Sequence, residues 1–327
     1  MTRPQHNRAY LITVFWTLGL LFLGSVVHAT ESSLACPDWP TCFGTMVPEM
    51  TGGVFWEHLH RLVAGGLILF FSGALYLTWK EKPIYSWVSR VAWAGMGLLL
   101  VQAVLGGVTV MLLLPDAISS SHLALAFLFL ALATVLATVT SPTWGEGPGF
   151  PQAGLVGLRR GAVAAALFTF AQSVVGAAVR HTDAGMACPD VPLCLGEWIP
   201  PLSYPLVALH FAHRILGLAV LGIVLWVGHI AFWRGPLPLV RRLGLAVAVV
   251  ALAQVLLGFF SVFFRLAVVP VSLHTLLAAT LLALLVVLAT RTWAPVPGDG
   301  STARNPGQGA SPAVPGGATG NERGDPE

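Results

Sequence analysis

Residues 36–42 read Cys-Pro-Asp-Trp-Pro-Thr-Cys, and residues 188–194 read Cys-Pro-Asp-Val-Pro-Leu-Cys. The second stretch lies 152 positions after the first, and the same offset relates other features around them. Gln102-x-x-x-Gly106 answers Gln254-x-x-x-Gly258, and His122 answers His274. His60-Arg61-Leu62 answers His213-Arg214-Ile215 at 153. Several features in one order at one spacing mark an internal repeat.

The sequence around these loops is lipid-like. Of 327 residues, 56% are hydrophobic and only 9% are charged. A soluble domain runs near 25% charged, because water must wet its surface. The composition therefore excludes a soluble enzyme, a nucleic-acid binder and a disordered chain. Eight apolar runs are long enough to cross about 30 Å of hydrocarbon as helices. They fall near 10–29, 56–79, 90–113, 119–140, 160–180, 205–233, 240–264 and 269–292. They are Leu/Ala/Val-rich and lack period-two alternation, so helices rather than barrel strands are expected. The expected fold is an all-α membrane protein of two tandem four-helix bundles. The first covers residues 1–145 and the second 146–293, and a Gly/Pro/Ser-rich tail, 294–327, reads as disordered. The first run has Arg3 and Arg8 ahead of it and Val27-His28-Ala29 at its end, like a secretory signal. The repeat pairs it with the fifth run, which is internal, so it reads as retained.

Charge gives the orientation. Arg3, Arg8, Lys80, Lys82, Arg90, Arg159, Arg160, Arg234, Arg241, Arg242 and Arg291 flank one side. The other side has Arg180 and Arg265 near its loops, with Arg61 and Arg214 just inside helix starts. The positive-inside rule puts both termini in the cytoplasm and both Cys loops outside.

His60, His122, His213 and His274 each fall near the start of an even run, at one depth in the outer half of the membrane. Ionisable groups at such depth are costly and usually functional. A lone His could be polar glue between helices. Four, two per repeat, fit axial ligands of two haem irons better. Zinc is less natural, since each pair lacks two further ligands. Arg61 and Arg214 follow two of these His and are candidate partners of haem propionates, or snorkel to outer headgroups. Arg180 and Arg265 are weaker candidates. Glu57 lies three residues before His60 and shares its helix face. The matching position before His213 is His210, so the halves are unequal there. Glu57 reads as a proton-handling group in the first half, or as a helix-start carboxylate. His210 competes with His213 as a ligand, but only His213 carries the Arg. His58 has no counterpart. His6, His28, His181 and His229 read as interface residues. The Gln-x-x-x-Gly pattern, which also occurs at Gln172/Gly176, reads as helix packing.

Both Cys pairs fall on the outer side, where disulfides persist. The spacing suits local bridges, Cys36–Cys42 and Cys188–Cys194. A metal pair or a redox-active dithiol is the alternative, and the first pair is the better redox candidate.

Together these residues resemble the haem A synthase family over nearly the whole chain to about residue 293. The resemblance rests on the eight spans, the four His, the twin Cys-Pro-Asp-x-Pro-x-Cys loops and Glu57 ahead of His60. It rests also on Gly176-Ala177-Ala178-Val179-Arg180-x-Thr182. It implies an oxidoreductase that converts the C8 methyl of haem O to the formyl of haem A, with water-derived oxygen. It implies that His60 and His122 hold haem o as substrate, that Glu57 is catalytic, and that His213 and His274 hold a lasting haem b. It further implies haem O synthase (protohaem farnesyltransferase), cytochrome oxidase assembly factors and an electron donor or acceptor as partners, in the cell membrane, with a homo-oligomer allowed. The chain departs from the family pattern at the end of the first run, where His28-Ala29-Thr30-Glu31 replaces Val-Arg-x-Thr. Two other functions fit the His pattern. A di-haem b electron-transfer cytochrome needs two equivalent sites and gives Glu57 no role. A haem transporter or chaperone loads and releases haem unaltered.

Overall fold

The computed structural model describes residues 4–83, 85–148, 152–235 and 237–295. The expected tail beyond 295 lies outside them, as does Arg3. Among the described residues there are eight long helices: α1 (Gln5–Ala29), α2 (Gly52–Glu81), α3 (Ser86–Met111), α4 (Asp116–Val139), α5 (Gln152–His181), α6 (Pro205–Arg234), α7 (Pro238–Phe263) and α8 (Val268–Arg291). All eight are long and apolar enough to cross a membrane. A helix satisfies its own backbone polar groups, which hydrocarbon cannot do, and that is why long apolar runs take this form.

Helix ends follow local chemistry. The connection from α3 to α4 is a tight turn with Leu113 and Leu114 at positive φ, and Leu114 N–H returns to Thr109 C=O at 2.7 Å. The connection from α7 to α8 repeats it with Arg265 and Leu266, the Leu266 N–H returning to Ser261 C=O at 2.7 Å. Such 6→1 closures satisfy carbonyls that a helix end would otherwise leave open. Pro115 then starts α4 from an extended residue.

Two apolar cores form. One joins α1, α2, α3 and α4, and the other joins α5, α6 and α7. α8 serves both. Its Ala279, Leu282, Ala283 and Val286 enter the first, and Leu281, Leu285 and Leu288 enter the second. Helices α1, α4, α5 and α8 pack on one another at the centre, with α2, α3, α6 and α7 outside them. Buried polar side chains pin this arrangement. Asn7 donates to Ala137 C=O at 2.7 Å, and the hydroxyls of Tyr10 and Thr78 meet at 2.5 Å.

Candidate haem site

The two Cys loops are built alike. Cys36–Cys42 and Cys188–Cys194 are disulfides, with cis prolines at Pro40 and Pro192. In the first loop Asp38 accepts from Thr41 Oγ1, from Phe43 N–H at 2.6 Å and from Gly44 N–H at 2.9 Å. These donors, Thr41 foremost, hold the Asp38 carboxyl below the ordinary Asp range. Gly44, at φ +72°, supplies the left-handed residue that the turn requires. In the second loop Gly196 N–H reaches Asp190 at 2.8 Å.

Arg61 and Arg214 are the braces of these loops. Arg61 donates to the carbonyls of Asp38 and Thr41, both at 2.6 Å, and of Cys36 at 3.1 Å. Arg214 donates to those of Asp190 and Leu193, both at 2.8 Å, and of Cys188 at 2.6 Å. The sequence offered propionates or lipid headgroups as their partners. The structure gives them loop carbonyls, because each loop folds back over the start of the helix that carries the Arg.

Glu57 completes the first brace. Its side chain, 4% exposed, accepts from Arg61 at 2.5 Å through Oε1 and from Cys36 N–H at 2.8 Å through Oε2. In the second half His210 takes that helix position, and its Nδ1 bonds Ala184 C=O at 2.8 Å. The first loop is thus also tied to α2 through Cys36 N–H and a carboxylate that pairs with Arg61 on the same helix, and the second has no such carboxylate at that helix position.

Each of the four histidines sits on a glycine of the preceding helix. A Cβ on Gly106, Gly176 or Gly258 would stand 3.0 Å from the Cε1 of His122, His213 or His274 respectively, and one on Gly24 would stand 3.1 Å from that of His60. The absent side chain is what admits the imidazole. The Gln one turn earlier holds the same residue. Gln102 Nε2 donates to His122 C=O at 2.7 Å, Gln172 Nε2 to His213 C=O at 2.7 Å, and His274 Nδ1 bonds Gln254 C=O at 3.1 Å. The Gln-x-x-x-Gly pattern therefore serves the histidines directly and goes beyond general helix packing. Gly24 escaped the sequence reading because Leu20 stands where the Gln would be. We expect Gly176→Val to displace His213 and cut haem b content several-fold in the purified protein. Gly222→Val, on α6 with open space around it, should leave haem b unchanged.

His60 and His122 share one cavity of about 880 Å³, with Glu57, Arg61 and Arg180 on its walls. Among the described residues, Nδ1 of His60 and of His122 has no hydrogen-bond partner. His28 and His181, read from sequence as interface residues, line this cavity too, with ring centroids 5.1 Å apart. Ser120 Oγ reaches His181 Nδ1 at 3.2 Å. Arg180 donates to Ser25 Oγ and to Ser25 C=O, both at 2.8 Å, and Ser25 also meets Thr275 at 3.2 Å. No spacing in the sequence signals this contact between α1, α5 and α8. Arg265 ends in the α7–α8 turn, and His6 pairs with Glu81.

A family model described as cytochrome oxidase assembly protein, COX15-CtaA, matches residues 7–286. A heme A synthase of Lysinibacillus sphaericus is 30% identical over 237 residues, covering 70% of this chain and 76% of that protein. One of Halalkalibacterium halodurans is 30% identical over 224 residues, 66% of this chain and 74% of that protein. One of Geobacillus thermodenitrificans is 26% identical over 295 residues, 84% and 90% respectively. With its cysteine loops, its glycine-seated histidines and a family match running through seven helices and into the eighth, the chain belongs to the COX15-CtaA family of cytochrome oxidase assembly proteins.

Proposed function

We propose that this chain is a haem A synthase, oxidising the C8 methyl of haem O to the formyl of haem A. The observation that carries the reading is the cavity where His60 and His122 meet beside Glu57. Its volume is within the range of small-molecule sites, and its polar groups converge from several helices. The two imidazoles with uncommitted nitrogens fit a haem iron, and each glycine seat fixes a ring's position.

The second pair fits a resident haem b. His213 Nδ1 meets Gln172 Nε2 at 2.9 Å, and His274 meets Gln254 twice, Nδ1 to its C=O at 3.1 Å and Nε2 to its Nε2 at 3.3 Å, so each ring is oriented by the Gln of the preceding helix, and His213 keeps its Nε2 for a metal. A haem b held there supplies one-electron redox chemistry. In the first half, His60 and His122 hold and orient the substrate. Each hydroxylation by water releases two protons and two electrons; the electrons go to an external electron acceptor, and the protons must leave a low-dielectric cavity. Glu57 is the cavity carboxylate on the His60 face, and we assign it the proton-accepting role. Arg61 and the Cys36 N–H hold its two oxygens in place. Arg180, with no carboxylate partner among the described residues, is the guanidinium we assign to a propionate.

The twin loops and the four glycine seats support a duplicated chain. The Lys/Arg bias supports cytoplasmic termini and external Cys loops. The Glu57–Arg61 brace, present in one half only, favours an enzyme over a cytochrome with two equivalent sites. Coexpression with haem O synthase, followed by chromatography of the extracted haems, tests the function. Haem A beside haem b is expected. Haem b alone at two per chain would overturn the reading in favour of the cytochrome.

A further inference from the structure

A second hollow lies at the other end of the bundle. It is a groove of about 630 Å³ between the ends of α4, α5 and α8, bounded by the start of α3. Its walls are apolar, with Val135, Val139, Val163 and Val286 among them. Its rim is aromatic: Tyr85, Trp87, Trp144 and Trp293. Such rings favour the headgroup level of a bilayer. The groove therefore reaches from that level inward along the hydrocarbon.

The headgroup end is rich in cations and unmet donors. Trp144 is 9% exposed, and its indole N–H has no partner among the described residues. Arg291, 2% exposed, donates to Thr143 C=O at 2.7 Å and to Gly147 C=O at 3.1 Å, which fixes the short 3₁₀ turn that carries Trp144. The Arg159 guanidinium lies 3.9 Å over the Trp293 ring and donates to Thr292 C=O at 2.7 Å. The Nε groups of Arg159 and Arg291 also lack partners among the described residues. Arg160 follows, exposed. The Trp144 turn carries one carboxylate, Glu146, which is exposed.

We propose that this groove binds one anionic phospholipid of the leaflet on the Lys/Arg-rich side. An acyl chain fills the apolar slot, and the phosphate lies at Arg159 and Arg160. The charge of the rim selects the occupant. Each arginine near an anionic headgroup contributes about fivefold in affinity. The inference does not depend on the haem reading, since the groove is remote from every histidine assigned to haem.

Native mass spectrometry of the full-length protein in detergent, given equal amounts of dioleoylphosphatidylglycerol and dioleoylphosphatidylcholine, tests it. One phosphatidylglycerol per chain should be retained, at least about fivefold over phosphatidylcholine. Arg159→Gln and Arg160→Gln should each lower that preference about fivefold. Val163→Trp, which fills the slot, should abolish retention of both lipids. If a variant fails to fold, the wild-type comparison decides alone. Equal retention of the two lipids overturns the proposal, and so does an unchanged preference in the Arg159→Gln/Arg160→Gln double variant. A dimer that binds neither lipid also overturns it, and assigns the groove to a second copy.

Discussion

Glu57→Gln should give a folded protein that keeps haem b and makes about 10²–10⁴-fold less haem A, the usual contribution of a positioned acid or base. The fold should survive because Arg61 retains three carbonyl acceptors after the carboxylate is gone. The new amide can still accept from Cys36 N–H through its oxygen. What it cannot do is take up a proton from the cavity. Haem O, or a half-oxidised hydroxymethyl form, should accumulate in cells that also express haem O synthase. Glu57→Asp, a carboxylate on a shorter arm, should recover part of the yield, which a purely structural role would not predict. Haem A yield at equal protein level is the deciding measurement. An unchanged yield in Glu57→Gln would leave Glu57 as a loop brace only.

His213→Ala and His274→Ala should each remove the low-spin haem b spectrum almost completely. Bis-imidazole ligation needs both partners, and each ring sits on a glycine and bonds the Gln one turn before that glycine. His210→Ala should leave the spectrum in place. His210 is buried against Ala184 C=O and, among the described residues, has no glycine seat of the kind found under His213. A haem b spectrum that persists in both single variants would refute the ligand assignment and return His210 to consideration. The optical spectrum of purified protein, normalised to protein concentration, reads the result.

The candidate site residues were legible where they depend on residue type at a fixed spacing. His60, His122, His213 and His274 stand out because an imidazole inside an apolar run is costly. Glu57 stands out because it is a carboxylate one turn from His60. The cysteine loops stand out because they repeat. Partners were less legible. Arg61 and Arg214 look like free cations in a sequence, yet their acceptors are carbonyls 20 or more residues away, on loops whose path depends on the disulfides and on Asp38 and Asp190. Gly24 was hidden because the Gln that marks the other seats is Leu20 in α1.

Eight helices long and apolar enough to cross a membrane, paired histidines and paired cysteines are all readable from residue order alone. Hydrocarbon leaves a long apolar run little choice but a helix. Which faces meet is a matter of packing. Every helix here is apolar nearly all round, so hydropathy does not mark an inner face. Small residues and buried polar groups set the contacts in a membrane bundle, and their effect depends on distances that a sequence does not contain. That is why the glycine seats, the Arg180–Ser25–Thr275 contact across α5, α1 and α8, and the His28–His181 pair emerged only from the packed chain.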